Sequence, residues 1–247
     1  MNTKRYALLD IIRGITLISM IVYHTVWDMV YIFDVDWLWF ESAAAYVWQQ
    51  SICWCFILLS GFCWSLGKHK LKRGLIVFVA GAIVSIVTMI VIPEESILFG
   101  VLTFLGTAML LFIPLNFVLK RCNPWIGTVV SAVLFFVTRN INERALGFEG
   151  IHIADLPESI YQGNLATFCG FTERGFYSTD YFSLLPWLFL FAVGYFLYGI
   201  FQRKELFGVF EKGKCEFLEK FGKHSLLIYM LHQPLVYLIL TLVFMVV

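Results

Sequence analysis

The chain has 247 residues, of which 60% are hydrophobic and 14% charged, and its formal net charge is +1 at pH 7. The apolar residues come in runs of about 20, which excludes an ordinary soluble domain and predicts an all-α, polytopic bundle of membrane helices. So small a net charge argues against nucleic acid as a partner. The six cysteines are scattered without a histidine cluster, so we predict small core residues and no metal site.

Seven apolar segments are predicted to cross the membrane, within a single domain that covers residues 1–247. The fifth segment is short for a hydrocarbon core about 30 Å thick. No small-residue cleavage site follows the basic start, and the first segment is therefore expected to be retained rather than removed as a signal peptide. The segments are Ala7–Phe33, Ala43–Leu66, Gly74–Ile92, Ile97–Leu119, Asn123–Thr138, Ser183–Phe201 and Ser225 to the C-terminus.

The basic residues occupy alternate loops, and their distribution tests this count. If the fifth segment did not cross, the lysines and arginines between the last two segments would face outward. The positive-inside rule puts the N-terminus in the cytoplasm and the C-terminus outside a multi-pass protein of the plasma membrane. Of the 18 basic residues, 14 then lie on the cytoplasmic side: Lys4, Arg5, Lys68, Lys70, Lys72, Arg73, Lys120, Arg121, Arg203, Lys204, Lys212, Lys214, Lys220 and Lys223.

One long loop, residues 139–182, is predicted to be extracytoplasmic. It has no apolar run long enough to cross the membrane, and long loops in compact proteins are usually either functional or disordered. Because aromatic residues are spread along its whole length, we expect this loop to pack, and to act as a lid.

The first segment carries four ionisable side chains, Asp10, Arg13, His24 and Asp28. Such groups cost roughly 2.5–3.5 kcal/mol each at the centre of a membrane helix and mark functional sites by default. At about 100° per residue, all four fall on one helix face, with Asp10 and His24 roughly 21 Å apart along the axis. Asp28 follows His24 by one turn, close enough to orient the imidazole as a general base requires. Structural interpretations stay open: His24 can serve packing, and Arg13 can reach the headgroups or be neutralised by Asp10.

A basic cluster follows the second segment and contains Lys70, Lys72 and Arg73. Such clusters are usually orientation signals or contacts with anionic lipid. This one would also suit a polyanion from the cytoplasm, such as the phosphates of a nucleotide-containing cofactor.

Five further side chains are candidates for binding a substrate, and each has a structural alternative. Trp27 belongs to an aromatic cluster that is typical of a membrane interface, although one or two such rings can stack on a sugar. Asp180 and Tyr181 precede the sixth segment, where they can also cap a helix. Tyr229 and His232 share a helix face beside Gln233 and Pro234, where the backbone ladder is broken and polar groups tend to occur.

These residues lie in motifs that follow one another along nearly the whole chain. The motifs are Asp10-x-x-Arg13-Gly14, Leu59-Ser60-Gly61, Phe99-Gly100-Val101-Leu102 with Gly106, Asp180-Tyr181-Phe182 with Leu185-Pro186-Trp187, and His224-Ser225-Leu226 with Tyr229, His232, Gln233 and Pro234. The series resembles the transmembrane acyltransferase superfamily. Within it, the nearest resemblance is to the bacterial group related to the heparan-alpha-glucosaminide N-acetyltransferase catalytic domain.

This resemblance implies that an acetyl or other acyl group passes from cytoplasmic acyl-CoA to a hydroxyl or amine of an extracytoplasmic glycan or cell-envelope sugar. His24 matches the catalytic histidine position of the superfamily's bacterial acyltransferase branch, whereas the human lysosomal enzyme has an asparagine at that place and a histidine further on. His24 is expected to take the acceptor's proton while Asp28 orients it. The chain has no histidine between Asp28 and Lys68, so direct transfer is a simpler expectation than an acetyl-histidine intermediate. Arg13, balanced by Asp10, is expected to bind the donor together with Lys70, Lys72 and Arg73.

Two other classes of function remain for comparison. A proton-coupled transporter would use the stripe from Asp10 to Asp28 as a relay, although the sequence has neither an obvious inverted repeat nor a matched pair of broken helices. A non-catalytic membrane scaffold would leave four buried charges unexplained. The sequence also leaves open whether the protein forms a homo-oligomer.

Overall fold

The fold is taken from a computed structural model that describes residues 6–211, 213 and 215–246, without the side chain of residue 246. Over these residues the chain forms nine α-helices and one two-stranded antiparallel sheet. Part of the orientation argument above rests on Lys4, Arg5, Lys212 and Lys214, which lie outside the described residues. The predicted all-α class is confirmed.

Six of the described helices are long and apolar enough to cross a membrane. α5, Pro124–Val137, has 14 residues and a length of about 21 Å. The six long helices are α1, Ala7–Tyr31; α2, Ala43–Leu66; α3, Lys70–Val91; α4, Val101–Leu119; α7, Leu184–Arg203; and α9, Ser225–Val246. The protein is therefore a multi-pass protein of a lipid bilayer.

Two helix starts differ from the predicted ones. α3 begins at Lys70 rather than Gly74, so the basic cluster forms its first turn. α4 begins at Val101 rather than Ile97, because Phe99 has a positive φ of 55° and Gly100 is extended. A left-handed residue cannot continue a right-handed helix.

Four further strands and α-helices are short, and five short 3-10 helices lie between the main elements of the described residues. β1, Ala145–Phe148, pairs with β2, Ile151–Asp155, and both lie in the long loop. α6, Asn164–Cys169, lies in the same loop, and α8, Glu216–Lys223, precedes α9. The loop is thus structured rather than a bare linker.

The chain divides into two compact units. The first contains Met1–Leu59 and Glu205–Val247, and the second contains Ser60–Lys204. One boundary falls inside the continuous helix α2. The prediction of a single domain stays a prediction.

In the first unit, α1 packs against α2 in the opposite direction and against α9 in the same direction. Trp48 Nε1 donates to Ser19 Oγ at 2.8 Å, while Cys55, farther along α2, contacts Thr16, which is earlier in α1. On the other side, Asp28 pairs with Gln233. Toward the helix ends, the rings of Phe33 and Phe244 stack with centroids 4.8 Å apart. The start of α1 therefore lies beside the start of α9.

This parallel packing bears on the short helix α5. Two helices that cross a membrane in the same direction must be separated by an odd number of crossings. The long helices α2, α3, α4 and α7 supply four, so a crossing by α5 makes the number odd. A span this short can be accommodated by local thinning of the bilayer.

The second unit has an aromatic core between α4 and α7 and the end of α2. Trp64, Phe112 and Phe191 are buried, and Trp64 Nε1 donates to the carbonyl of Met109 at 2.9 Å. Gly61 allows α2 to approach α7, because a Cβ at this position would overlap the carbonyl of Phe191. The core of this unit is therefore built on ring packing and close backbone contact.

Candidate functional site

The N-terminal half of the predicted stripe is an ion pair on α1. Arg13 Nη1 lies 3.0 Å from Asp10 Oδ1, and Asp10 is buried. α8 covers this end of α1, since a Cβ on Gly222 would overlap the carbonyl of Asp10 and a Cβ on Gly14 would overlap that of Leu218. The structure therefore supports the expectation that Asp10 balances Arg13.

The other half of the stripe faces α9. His24 is partly buried, and the centroid of its ring lies 5.1 Å from that of His232, with the two planes at 58°. The centroid of the Tyr229 ring lies 5.4 Å from that of His232. Two histidines that are 208 positions apart in sequence (232 − 24) thus share one site.

His232 has a defined tautomer. Its Nδ1 lies 2.6 Å from the backbone carbonyl of Tyr229. Because a carbonyl oxygen can only accept, Nδ1 must carry the hydrogen, and in the neutral ring Nε2 then holds the lone pair. Nε2 is buried and has no hydrogen-bond partner among the described residues. His232 therefore presents a proton acceptor to the site.

Asp28 makes a different hydrogen bond from the one that its spacing predicts. Its Oδ1 accepts from Nε2 of Gln233 at 2.6 Å, and the described hydrogen bonds include none between Asp28 and His24. The expectation that Asp28 directly orients His24 is therefore corrected. A spacing of four residues places both side chains on one face, but the amide from α9 is a strong donor within reach of the carboxylate.

Gln233 is a site residue that the sequence analysis left out of its candidates. The available signal was its position directly before Pro234, which removes a backbone donor from α9 and favours polar side chains nearby. Its partner cannot be found from the sequence, because the two residues are separated by 205 positions.

This group of residues contains three buried acceptor atoms. Asp28 Oδ2, Gln233 Oε1 and His232 Nε2 each lack a hydrogen-bond partner among the described residues. An unsatisfied buried polar atom costs about 1–3 kcal/mol, and such atoms are rare in native proteins without a functional reason. Chemically, the site is arranged to receive hydrogen-bond donors and protons. We call Asp28, Gln233, His232 and His24 the polar cluster.

Trp27 lies beside the polar cluster in sequence but belongs to an aromatic group. Its ring is 5.2 Å from that of Tyr31, and it packs against the buried residues Val26, Phe40 and Ala45. This packing agrees with the structural interpretation, and a contact of Trp27 with substrate stays a prediction.

The remaining predicted residues belong to the second unit. Lys70 Nζ lies 3.6 Å from the centroid of the Trp64 ring, and Lys72 is exposed. The guanidinium of Arg73 occupies the space in which a Cβ of Gly67 would lie. Lys70 thus stacks on an aromatic face at the start of α3, and the role of all three cations in donor binding stays a prediction.

Asp180 and Tyr181 hold the long loop in place. Asp180 Oδ2 accepts from the backbone N–H of Val101 at 3.2 Å, which caps α4 rather than the helix that follows in sequence. The hydroxyl of Tyr181 donates to the carbonyl of Thr167, and burial raises the pKa of this hydroxyl, which keeps it protonated. Their predicted contact with substrate stays a prediction.

A family comparison agrees with the motifs in the sequence. The family model described as heparan-alpha-glucosaminide N-acetyltransferase, catalytic, matches residues 5–234, which include all four members of the polar cluster. Searches of the curated proteins and of the solved structures find no significant match. The match extends over most of the chain, which therefore belongs to the heparan-alpha-glucosaminide N-acetyltransferase catalytic family, a family of transmembrane acetyltransferases.

Proposed function

We propose that this protein transfers an acetyl or other acyl group from cytoplasmic acyl-CoA to a hydroxyl or amine of an extracytoplasmic sugar in a glycan or the cell envelope, at the plasma membrane. His24 acts as the general base. Family membership supports acetyl transfer in general. The observation that carries the proposal is the polar cluster, in which a partly buried imidazole stands beside three acceptor atoms that lack partners.

The reaction needs one proton acceptor and one proton donor. The acceptor's oxygen or nitrogen attacks the thioester carbonyl carbon, and its proton passes to His24. The new C–O or C–N bond forms as the C–S bond breaks, and the thiolate of CoA takes a proton from the imidazolium. Each step balances without an oxidant or a reductant. General acid–base help of this kind typically contributes about 10²- to 10⁴-fold in rate.

Asp28 stabilises this site without a hydrogen bond to His24. Its carboxylate is fully buried and tied to Gln233 through one oxygen. The second oxygen is available to a hydroxyl or amine of the incoming sugar, or to the imidazolium as positive charge develops. We therefore assign Asp28 to the electrostatic support of the proton transfer.

The donor needs cations, because the head group of acyl-CoA carries phosphates. Arg13 is partly buried and pairs with Asp10, so the two side chains together form a nearly neutral polar group on α1. Lys70, Lys72 and Arg73 form the first turn of α3, and they are proposed to contact the phosphates from the cytoplasm. This assignment also depends on the expected orientation of the chain.

Replacing His24 by Ala tests the proposal in purified protein reconstituted into lipid nanodiscs. The assay follows release of the CoA thiol from acetyl-CoA, with glucosamine as the amine probe and methyl glucoside as the hydroxyl probe. Acetylated sugar is identified by mass spectrometry. We expect transfer to be lost, with the melting temperature and acetyl-CoA binding retained.

His152→Ala is the matched control, because His152 is exposed in the long loop and pairs with Asp155. It should transfer acetyl groups at the rate of the wild type. Undiminished transfer by folded His24→Ala would remove His24 as the base. Proton flux without any affinity for acetyl-CoA would instead favour the transporter.

A further inference from the structure

His232 has a geometry that acceptor binding alone does not explain. Its side chain is 7% exposed, and it projects from α9 toward α1. The bond from Nδ1 to the carbonyl of Tyr229 fixes both the orientation of the ring and its tautomer. A residue that only bound sugar would not need a fixed lone pair in a buried position, because an amide or hydroxyl side chain would serve.

His232 lies in a site that contains a second imidazole. The groups that face it are Tyr23, His24 and Asp28 from α1, and Tyr229 and Gln233 from α9. Among them, the rings of His24 and His232 have centroids 5.1 Å apart, a separation at which one ring's nitrogen can approach the other's. A proton on one imidazole can therefore reach the other directly or through one water molecule.

We propose that His24 and His232 form a proton-sharing pair, in which His232 is a positioning residue that acts through His24. The proposal rests on the proposed function. His24 takes the proton from the acceptor's O–H or N–H group, and Nε2 of His232 receives it from His24. The proton returns by the same route to the CoA thiolate when the C–S bond has broken.

The surroundings of the pair favour this sharing. Positive charge on a single buried imidazole is costly, because burial removes its hydration. Spreading the charge over two rings beside the carboxylate of Asp28 lowers that cost. The carbonyl of Tyr229 contributes as well, since an N–H bonded to it becomes a stronger donor when the ring is protonated.

The asparagine variant of His232 separates packing from proton transfer. In His232→Asn, the side-chain amide nitrogen occupies the position of Nδ1 and can still donate to Tyr229, but no basic nitrogen remains. We expect kcat to fall about 10²-fold, the lower end of the usual contribution from general acid–base catalysis, with KM for acetyl-CoA unchanged. His232→Gln places an amide near the position of Nε2, and its kcat should fall by as much.

The pH dependence of kcat is the second readout. In the wild type, the acid limb of the profile belongs to the coupled pair rather than to either ring. It should move in His232→Asn, where His24 titrates alone beside the same Asp28, Tyr23 and Tyr229. A merely structural role for His232 would leave this limb in place.

A measurement on the wild-type protein covers the case in which neither variant folds. Rates in mixtures of H₂O and D₂O should give a curved proton inventory, because more than one proton moves in the transition state. The proton-sharing pair would be overturned if folded His232→Asn kept the kcat and the acid limb of the wild type. A linear proton inventory would overturn it as well. If His24→Ala is inactive in the same assay, the proposed function survives that result. Full activity of His24→Ala would overturn the proposed function as well.

Discussion

Gln233 donates from Nε2 to Oδ1 of Asp28 at 2.6 Å, and this bond joins the first and the last long helix of the described chain. The carboxylate is completely buried, so its partner satisfies a group that would otherwise face apolar surroundings. The stability of the packing between α1 and α9 should depend on this pair.

Gln233→Ala removes the donor and is expected to destabilise the protein by about 1–3 kcal/mol, the cost of an unsatisfied buried group. Thermal melting in detergent measures this loss of stability. Gln202→Ala is the control, because Gln202 is exposed. A double-mutant cycle with Asp28→Ala should show a coupling of about 0.5–3 kcal/mol. Additive losses would mean that the bond does not contribute.

Gly14 is expected to tolerate no side chain. Alanine there gains about 1 kcal/mol in helix propensity, but its Cβ overlaps the carbonyl of Leu218 and pushes α8 away from α1. Overpacking of this kind typically costs about 1–3 kcal/mol or more, so the net change should be a loss.

Gly208→Ala is the control for this variant, because a Cβ at Gly208 meets no other atom within 4 Å. Its melting temperature should equal that of the wild type or slightly exceed it. A Gly14→Ala protein that is as stable as the control would contradict the close approach of α8.

The basic turn of α3 gives a prediction about the donor. Lys72 is exposed, and Lys72→Gln should raise KM for acetyl-CoA by about 1.5- to 5-fold, the effect of roughly 0.2–1 kcal/mol from one exposed charge pair. The effect should shrink as salt is added, because screening weakens exposed charge pairs. Lys70→Gln should also lower stability, because Lys70 stacks on Trp64.

Lys120→Gln is the control for both lysine variants. Lys120 lies at the end of α4, in a loop that the charge distribution also assigns to the cytoplasm. An equal rise in KM for this variant would indicate a general effect of charge rather than a donor site on α3.

The cap of α4 gives a prediction that separates structure from substrate binding. Asp180→Ala removes the acceptor for the N–H of Val101 and is expected to cost about 0.5–2 kcal/mol, as other caps do. Asp180→Asn keeps an acceptor oxygen and should lose less. If it retains stability but KM for the sugar probe rises at least tenfold, Asp180 binds acceptor in addition to capping α4.

Asp36→Ala is the control for the cap, because Asp36 is exposed in the loop after α1. Its melting temperature should equal that of the wild type. A cap that contributes nothing would leave Asp180→Ala at the same melting temperature as this control.

Runs of apolar residues were sufficient to predict the long helices, although not the short helices α6 and α8. Each long helix coincides with a predicted segment, because a run that fills the bilayer has few alternatives to a helix. Local stereochemistry was harder to predict. Phe99 adopts a left-handed conformation, for which glycine is the usual residue. Nothing in the sequence around a phenylalanine indicates this conformation.

Members of the polar cluster were predictable on both helices, but their pairing was not. The periodicity of α1 placed His24 and Asp28 on a common face, and the broken ladder near Pro234 pointed to His232. The partner of Asp28 was predicted wrongly, because pairing across two helices depends on their register, which no local pattern encodes. Asp180 shows the same limit, since it caps a helix that begins 79 positions earlier in the chain.

The parallel packing of α1 against α9 has a consequence for biogenesis. Of the six long helices described, the ribosome makes the one with the buried carboxylate first and the one that satisfies it last. Throughout synthesis, Asp28 must therefore be tolerated by the translocon or by lipid without its amide partner. A nascent chain arrested before residue 225 contains the other five long helices of the described residues but lacks His232 and Gln233, so the polar cluster is completed only when α9 is made.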